Sequence, residues 1–150
     1  VNINKFTKIY LYDVFNQVIE LSKLKKKTIK VKCSKTLTIR TDKNSLFRII
    51  FNLFENATRY GTVIEISAKK TNKLIVIEIE DNGPGIENQF RKEIFKPFYK
   101  IDNSRNLNES GSGLGLSIAK ELSKKIKAKT NYQISQKLKG SLFSITIPIK

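Results

Sequence analysis

Asn52-Leu53-Phe54-Glu55-Asn56-Ala57-Thr58-Arg59-Tyr60 is the stretch that decides how this chain is read. Its apolar residues recur at helical spacing. On a helix turning by about 100° per residue, positions 52, 56, 59 and 60 share one stripe. The opposite face, with Leu46, Ile50, Leu53 and Ala57, supplies an apolar stripe for a core. Two amides, a guanidinium and a phenol therefore project from one side. A solvated helix face can have this composition too. The same groups suit a nucleotide: amide oxygens ligate Mg²⁺, a guanidinium grips phosphate, and a phenol ring packs against a base.

Working outward, this helix is expected over about 45–60, with Asp42 or Asn44 able to cap it and Gly61 to stop it. Upstream, Leu11, Val14, Phe15, Val18, Ile19 and Leu21 predict an amphipathic helix over about 10–25, closed by Lys25-Lys26-Lys27. Thr28–Cys33 and Thr36–Thr41 alternate apolar and polar residues, as a pair of short strands would. Downstream, Thr62–Lys69 and Leu74–Glu80 are the clearest strands; Ile75, Ile77 and Ile79 share a face, with Glu78 and Glu80 on the other. A short helix is expected over 87–95, an irregular Asn- and Ser-rich loop over 99–112, a helix over about 114–126, and strands near 131–136 and 141–149. Helix and strand pair thus alternate three times. That order implies one mixed sheet with helices on one face, an α/β two-layer sandwich.

Composition narrows the classes. The chain has 150 residues, one domain by length, with 39% hydrophobic residues, nine Phe and five Tyr. No apolar run reaches membrane-spanning length, and the start, Val1, carries neither a signal peptide nor an initiator Met, as an excised fragment would. The lone Cys33 excludes a disulfide framework and fits a reducing compartment, and the absence of His excludes imidazole bases and His-ligated metals. The net charge of +16 invites nucleic acid as a partner. Its distribution argues otherwise: residues 1–50 hold 12 cations against 3 anions and residues 101–150 hold 9 against 3, whereas residues 51–100 are nearly balanced at 8 against 7. Scattered Lys without an aromatic-spaced basic ladder reads as a solvated surface, so no nucleic-acid partner is expected.

Two glycine motifs carry the chemistry. Asp81-Asn82-Gly83-Pro84-Gly85-Ile86 follows directly on the strongest strand. Strand ends are where open sheets place ligands, and glycines permit positive φ and close backbone approach. Asp81 there would be a buried acceptor for the exocyclic amine of adenine; a plain Gly-Pro turn with an Asp cap has the same sequence. Gly111-Ser112-Gly113-Leu114-Gly115-Leu116 opens a helix after the irregular loop, where main-chain N–H groups and the helix dipole favour phosphate. It is neither a dinucleotide fingerprint, since a loop precedes it, nor a P-loop, since no Gly-Lys-Ser/Thr occurs. Phe95-Lys96-Pro97-Phe98-Tyr99-Lys100 lies at the start of the loop, either as an apolar hinge or as ordinary core.

In this order, Asn-x-x-x-Asn-Ala, Asp-x-Gly-x-Gly-Ile, Phe-x-Pro-Phe and Gly-x-Gly-Leu-Gly-Leu resemble the N, G1, F and G2 boxes of the catalytic domain of sensor histidine kinases. These belong to the superfamily shared with gyrase B subunits, heat-shock chaperones and mismatch-repair ATPases. The resemblance spans the chain, including the approach through Thr41-Asp42 to Leu46 and the closing Gly140-Ser141-Leu142-Phe143-Ser144-Ile145-Thr146-Ile147-Pro148. It implies the Bergerat-type fold, a mixed, mostly antiparallel sheet of about five strands packed on three helices.

The resemblance also implies roles. Asn56 would coordinate Mg²⁺, and Asn52 the metal or the phosphates. Arg59 matches a basic residue that reaches the phosphates, and Tyr60 an aromatic lining the adenine. Asp81 would bind the adenine amine, in a pocket shaped by Gly83, Gly85 and Ile86. Residues 99–112 would form an ATP lid, mobile without nucleotide over 101–110, with Lys100 and Arg105 as phosphate ligands. Gly111, Ser112, Gly113, Leu114, Gly115 and Leu116 would hold the triphosphate. The family's Gly-Gly after the last helix is missing near Ala128, which puts the local turn in question. Related hydrolases carry a Glu where this chain has Asn52, and an amide cannot activate water as a base. A kinase gains from this, because the γ-phosphate must wait for a histidine.

The implied activity is therefore that of a protein-histidine kinase using ATP and Mg²⁺, its acceptor histidine on a separate dimerisation domain outside residues 1–150, with a response regulator downstream. The full-length protein would be a homodimer and an inner-membrane sensor, with this domain cytoplasmic and touching no membrane. Three alternatives stay open: an ATP-hydrolysing relative of the chaperone or topoisomerase type, a serine kinase acting on an anti-sigma partner, and a basic nucleic-acid module.

Overall fold

The computed structural model describes residues 6–22, 27–99 and 114–149. Five strands form the main sheet in the order β2-β4-β5-β7-β6, where β2 is Thr28–Lys32, β4 Val63–Lys70, β5 Leu74–Asp81, β6 Lys129–Ile134 and β7 Ser141–Pro148. Only β2 and β4 run parallel; the other pairings are antiparallel. Three helices, α1 (Leu11–Leu21), α2 (Lys43–Tyr60) and α3 (Gly115–Lys125), complete the two-layer sandwich.

The layers follow from two periodicities. On β4, β5 and β7 the residues Ile64, Ile66, Ile75, Ile77, Ile79, Phe143, Ile145 and Ile147 recur at every second position, so they share one face, and they are buried. Against them α2 sets Leu46, Ile49, Ile50, Leu53, Phe54 and Ala57, each with no exposed surface. Each large side chain so buried stabilises the fold by about 1.5–3 kcal/mol over leaving it in water. Within the described residues, no helix is long and apolar enough to cross a membrane.

The strand pairing after α1 differs from the expected one. Thr28–Lys32 and Thr38–Asp42 (β3) are strands, but they do not pair with each other. β2 joins the main sheet along β4, with Ile29 opposite Ile64 and Val31 opposite Ile66. β3 pairs instead with Phe6–Tyr10 (β1), a strand the sequence reading did not identify, with Lys8 opposite Arg40. A parallel neighbour needs a crossover, and α2 provides it between β2 and β4. The first helix starts at Leu11, one residue past β1, and the Lys25–Lys27 end of the expected 10–25 helix falls partly on residues 23–26, outside the described residues.

Smaller differences concern helix ends. Asp42 sits at the N-cap of α2, yet its carboxylate accepts from Ser45 Oγ (2.6 Å) instead of a helix N–H. The expected 87–95 helix is one 3₁₀ turn, Asn88–Phe90, followed by turns to Phe95. After α3 the Gly-less turn forms all the same. Lys127 takes φ 63°, its N–H reaches Lys124 O (3.1 Å), and Ala128 N–H reaches Ser123 O (2.7 Å). That is a Schellman ending with lysine in the position usually given to glycine.

Candidate functional site

The C-terminal end of α2, the end of β5 and the β6–β7 turn meet around Asp81. Its side chain is only 1% exposed. Oδ1 accepts from Gly83 N (2.8 Å) and Ser141 N (3.2 Å), while Oδ2 makes no hydrogen bond among the described residues. Burial pushes this carboxyl above its ordinary range, and the two N–H groups pull it part of the way back. Asp81 O in turn accepts from Gly140 N (3.1 Å). The carboxylate is thus fixed by main chain on one side, with its second oxygen left over to accept from something else.

The glycines of the following turn have separate jobs. Gly85 takes φ 73°, a conformation that side chains resist. Gly83 has an ordinary φ but lies so close to α2 that a Cβ on it would sit 2.8 Å from Tyr60 O and 3.0 Å from Asp81 Oδ1. This contact ties the end of α2 to the Asp81–Ile86 turn. Asn82 ties the turn to β4: its Oδ1 accepts from Thr62 N (2.8 Å) and Val63 N (3.0 Å).

On α2 itself, Asn52 and Asn56 are half-buried, and Arg59 and Tyr60 are exposed. None of these four side chains is engaged in a hydrogen bond or ion pair among the described residues. α3 packs alongside α2 and begins at Gly115, where a Cβ would meet nothing within 4 Å. Leu116 packs onto the core, and Leu114 O accepts from Ile118 N and Ser117 Oγ (both 2.9 Å). Phe95 stacks edge-on against Phe143 (centroids 6.2 Å apart), so it is core. Phe98 is 71% exposed with φ 64°, so it is not. Lys100, Arg105, Gly111, Ser112 and Gly113, with nearly all of the expected 99–112 lid, lie outside the described residues.

Sequence reasoning missed several residues that build the site. Gly140 is the tightest: a Cβ there would lie 2.3 Å from Asp81 O. In the sequence it only opens the closing stretch from Gly140 to Pro148, and nothing local marks its contact with Asp81. Tyr132 and Arg91 hold Ile86 by its main chain, and no local pattern marks either residue. Asn82, embedded in Asp-Asn-Gly, carried the one available signal, an amide directly after a strand.

Residues 41–150 match the model of the family described as histidine kinase-, DNA gyrase B-, and HSP90-like ATPases. The sensor protein CiaH of Streptococcus pneumoniae is 34% identical over 116 residues, covering 75% of this chain and 26% of that protein. The sensor histidine kinase RppB of Synechocystis is 32% identical over 112 residues, covering 72% of this chain and 24% of that protein. The chain thus spans about a quarter of the length of these curated relatives. Among solved structures, a mycobacterial sensor histidine kinase, MprB, superposes with a TM-score of 0.81 at 20% identity, over 95% of this chain and 97% of that one. Full-length ShkA, solved in complex with AMPPNP, superposes with a TM-score of 0.80 at 24% identity, over 95% of this chain and 31% of that one. A fold shared at that level, a match over most of the chain and the buried Asp81 beside a glycine turn lead to one statement: the chain belongs to the family of histidine kinase-, DNA gyrase B- and HSP90-like ATPases.

Proposed function

We propose that residues 1–150 are the ATP-binding catalytic domain of a sensor histidine kinase. The observation that carries this reading is the Asp81 carboxylate, fixed through Oδ1 by two N–H groups and left with Oδ2 as an open acceptor. An acceptor held in that way selects a donor, which adenine presents as its exocyclic amine and guanine does not present at that position. The donor set fits the rest of the nucleotide. Asn52 and Asn56 offer unengaged amide oxygens for Mg²⁺, Arg59 an unengaged guanidinium for phosphate, and Tyr60 an exposed ring for the base. Gly115 leaves room for phosphate to approach the start of α3, with Leu114 and Leu116 on either side. Lys100, Arg105, Gly111, Ser112 and Gly113 would complete the phosphate grip.

Mg²⁺, when bound, would neutralise charge on the phosphate oxygens. The chain's own part is positioning: Asp81 orients the base, and α2 and the start of α3 hold the phosphates in line for transfer. Asn52 lacks the basicity to activate water, which disfavours hydrolysis over phosphoryl transfer. The chain contains no histidine, so the acceptor is supplied from outside these residues, by a dimerisation domain in the same protein or its partner subunit. A response-regulator aspartate would take the phosphoryl group next, and the full-length protein would be a homodimeric sensor of the inner membrane.

Calorimetric titration with a non-hydrolysable ATP analogue, with and without Mg²⁺, tests the reading. Binding should require Mg²⁺ for full affinity and should favour ATP over GTP. Asp81→Asn should lose roughly tenfold or more of that preference, since an amide can turn a donor toward the amine. Undiminished selectivity in the variant would remove Asp81 from its role. Transfer of label from ATP to a histidine-bearing fragment checks the kinase assignment separately.

A further inference from the structure

We propose that Tyr132 and Arg91 are positioning residues which lock the Asp81–Ile86 turn from the far edge of the sheet and thereby set the affinity of the site for the purine. This rests on the nucleotide reading above. Residues 84–87 belong to no helix or strand, so no ladder of hydrogen bonds holds them. Ile86 is nevertheless fixed at both of its main-chain polar groups. Its N–H donates to Tyr132 Oη (2.7 Å), and its carbonyl accepts from Arg91 Nε (2.9 Å).

Tyr132 is held in its turn. Its hydroxyl shares a hydrogen bond with Ser141 Oγ (2.9 Å), and its ring meets Phe143 edge-on with centroids 5.0 Å apart. The Arg91 guanidinium lies over the same ring, 5.4 Å from its centroid. One phenol hydroxyl can accept from Ile86 and still bond Ser141, so its capacity is used on two partners. The main-chain N–H of Ser141 is the group that donates to Asp81 Oδ1 (3.2 Å). The paired strands β6 and β7 therefore grip both ends of the turn, Asp81 through Ser141 and Ile86 through Tyr132. Gly85 lies between them, close enough to β6 that a Cβ would come within 3.0 Å of Ile134 Cδ1 and 3.6 Å of Tyr132 Oη.

A Gly-Pro-Gly turn released from this grip samples several conformations. Apparent affinity falls in proportion to the fraction that is competent to bind. Tyr132→Phe keeps the ring and its packing and removes only the hydroxyl. Arg91→Gln removes the guanidinium from Ile86 and from the ring, and serves should the first variant fold poorly.

Each variant would be titrated with ADP and with Mg²⁺–AMP-PNP, and its ligand-free melting measured. We expect both nucleotides to bind more weakly by a common factor of about tenfold, because the turn addresses the base that they share. The melting temperature should stay near wild type, and the backbone N–H groups of Gly83, Gly85 and Ile86 should exchange faster with solvent. A loss confined to AMP-PNP, or wild-type affinity for ADP in both variants, overturns the positioning role while the nucleotide site stands. A wild-type chain that binds neither nucleotide refutes the site itself, and the purine claim with it.

Discussion

A methyl group at position 140 has nowhere to go. It would fall 2.3 Å from Asp81 O and 2.5 Å from both Asp81 Oδ1 and Gly83 N, all of them held by the main chain or hydrogen-bonded to it. Gly140→Ala should therefore force the β6–β7 turn off β5, at a cost of roughly 3 kcal/mol. A drop in melting temperature of about 6–12 °C would register this. Gly115 makes the opposite case. A Cβ there meets nothing within 4 Å, so the described fold gives no reason for a glycine. Gly115→Ala should fold at least as well, with a gain of a few tenths of a kcal/mol or more. If the proposed nucleotide site is right, it should nonetheless bind AMP-PNP about tenfold more weakly, because phosphate would use that space to reach the helix N-terminus. Unchanged affinity in that variant would mean that the triphosphate does not approach α3 there.

Among the elements, α3 shows where the backbone carries a cost that substitution can relieve. Lys127 holds φ 63° in the Schellman turn, a conformation that disfavours any residue with a Cβ. Lys127→Gly should stabilise by roughly 0.5–1 kcal/mol, visible as a melting temperature higher by about 1–4 °C. Nucleotide binding should not change, since the turn lies at the opposite end of α3 from Gly115. The β1–β3 pair illustrates the reverse dependence. A two-stranded ribbon is marginal by itself. It persists here because Ile9 and Ile39 are buried in the same core as α1 and α2, although Lys8 and Arg40 stand directly opposite each other.

Across the whole molecule, the outer face of the sheet concentrates the electrostatics. Glu65 and Glu80 are cross-strand partners and nearly buried, a repulsive arrangement by itself. The β6–β7 turn closes over them. Lys137 donates to Glu65 and lies 3.9 Å from Glu80, Ser135 Oγ donates to Glu80 Oε2 (2.6 Å), and Lys32 approaches Glu65 to 3.6 Å. For Glu65, burial pushes the carboxyl up, but the Lys137 hydrogen bond and charge, with Lys32, outweigh it and hold the group below its ordinary value of 4.5. A carboxyl that is more acidic folded than unfolded contributes stability above the unfolded value. That contribution is lost as the pH falls through the folded one. Urea unfolding at a series of pH values below about 5 should show a gentler loss for Glu65→Gln than for wild type. Equal slopes would assign the acid sensitivity elsewhere. The same turn carries Gly140 and leads into Ser141, so acid should loosen the support of Asp81 as well.

Much of this molecule was legible in its residues. The 3.6-residue spacing of Leu46, Ile50, Leu53 and Ala57 specified α2, and the alternation of Ile75, Ile77 and Ile79 specified β5, because both patterns are local consequences of backbone geometry. The residue types of the two glycine motifs pointed to a nucleotide for similarly local reasons of hydrogen-bonding capacity. Strand partners were another matter. Nothing within Thr28–Lys32 or Thr38–Asp42 states that one lies along β4 and the other along β1, because an alternating strand fits any apolar neighbour. Likewise the closeness of Gly140 to Asp81 and the hold of Tyr132 on Ile86 join residues 59 and 46 positions apart, and Arg91 couples side chain to main chain across a turn. Those contacts exist only once the sheet has closed. Tertiary packing alone decides which main-chain groups are left without water and must find a partner there.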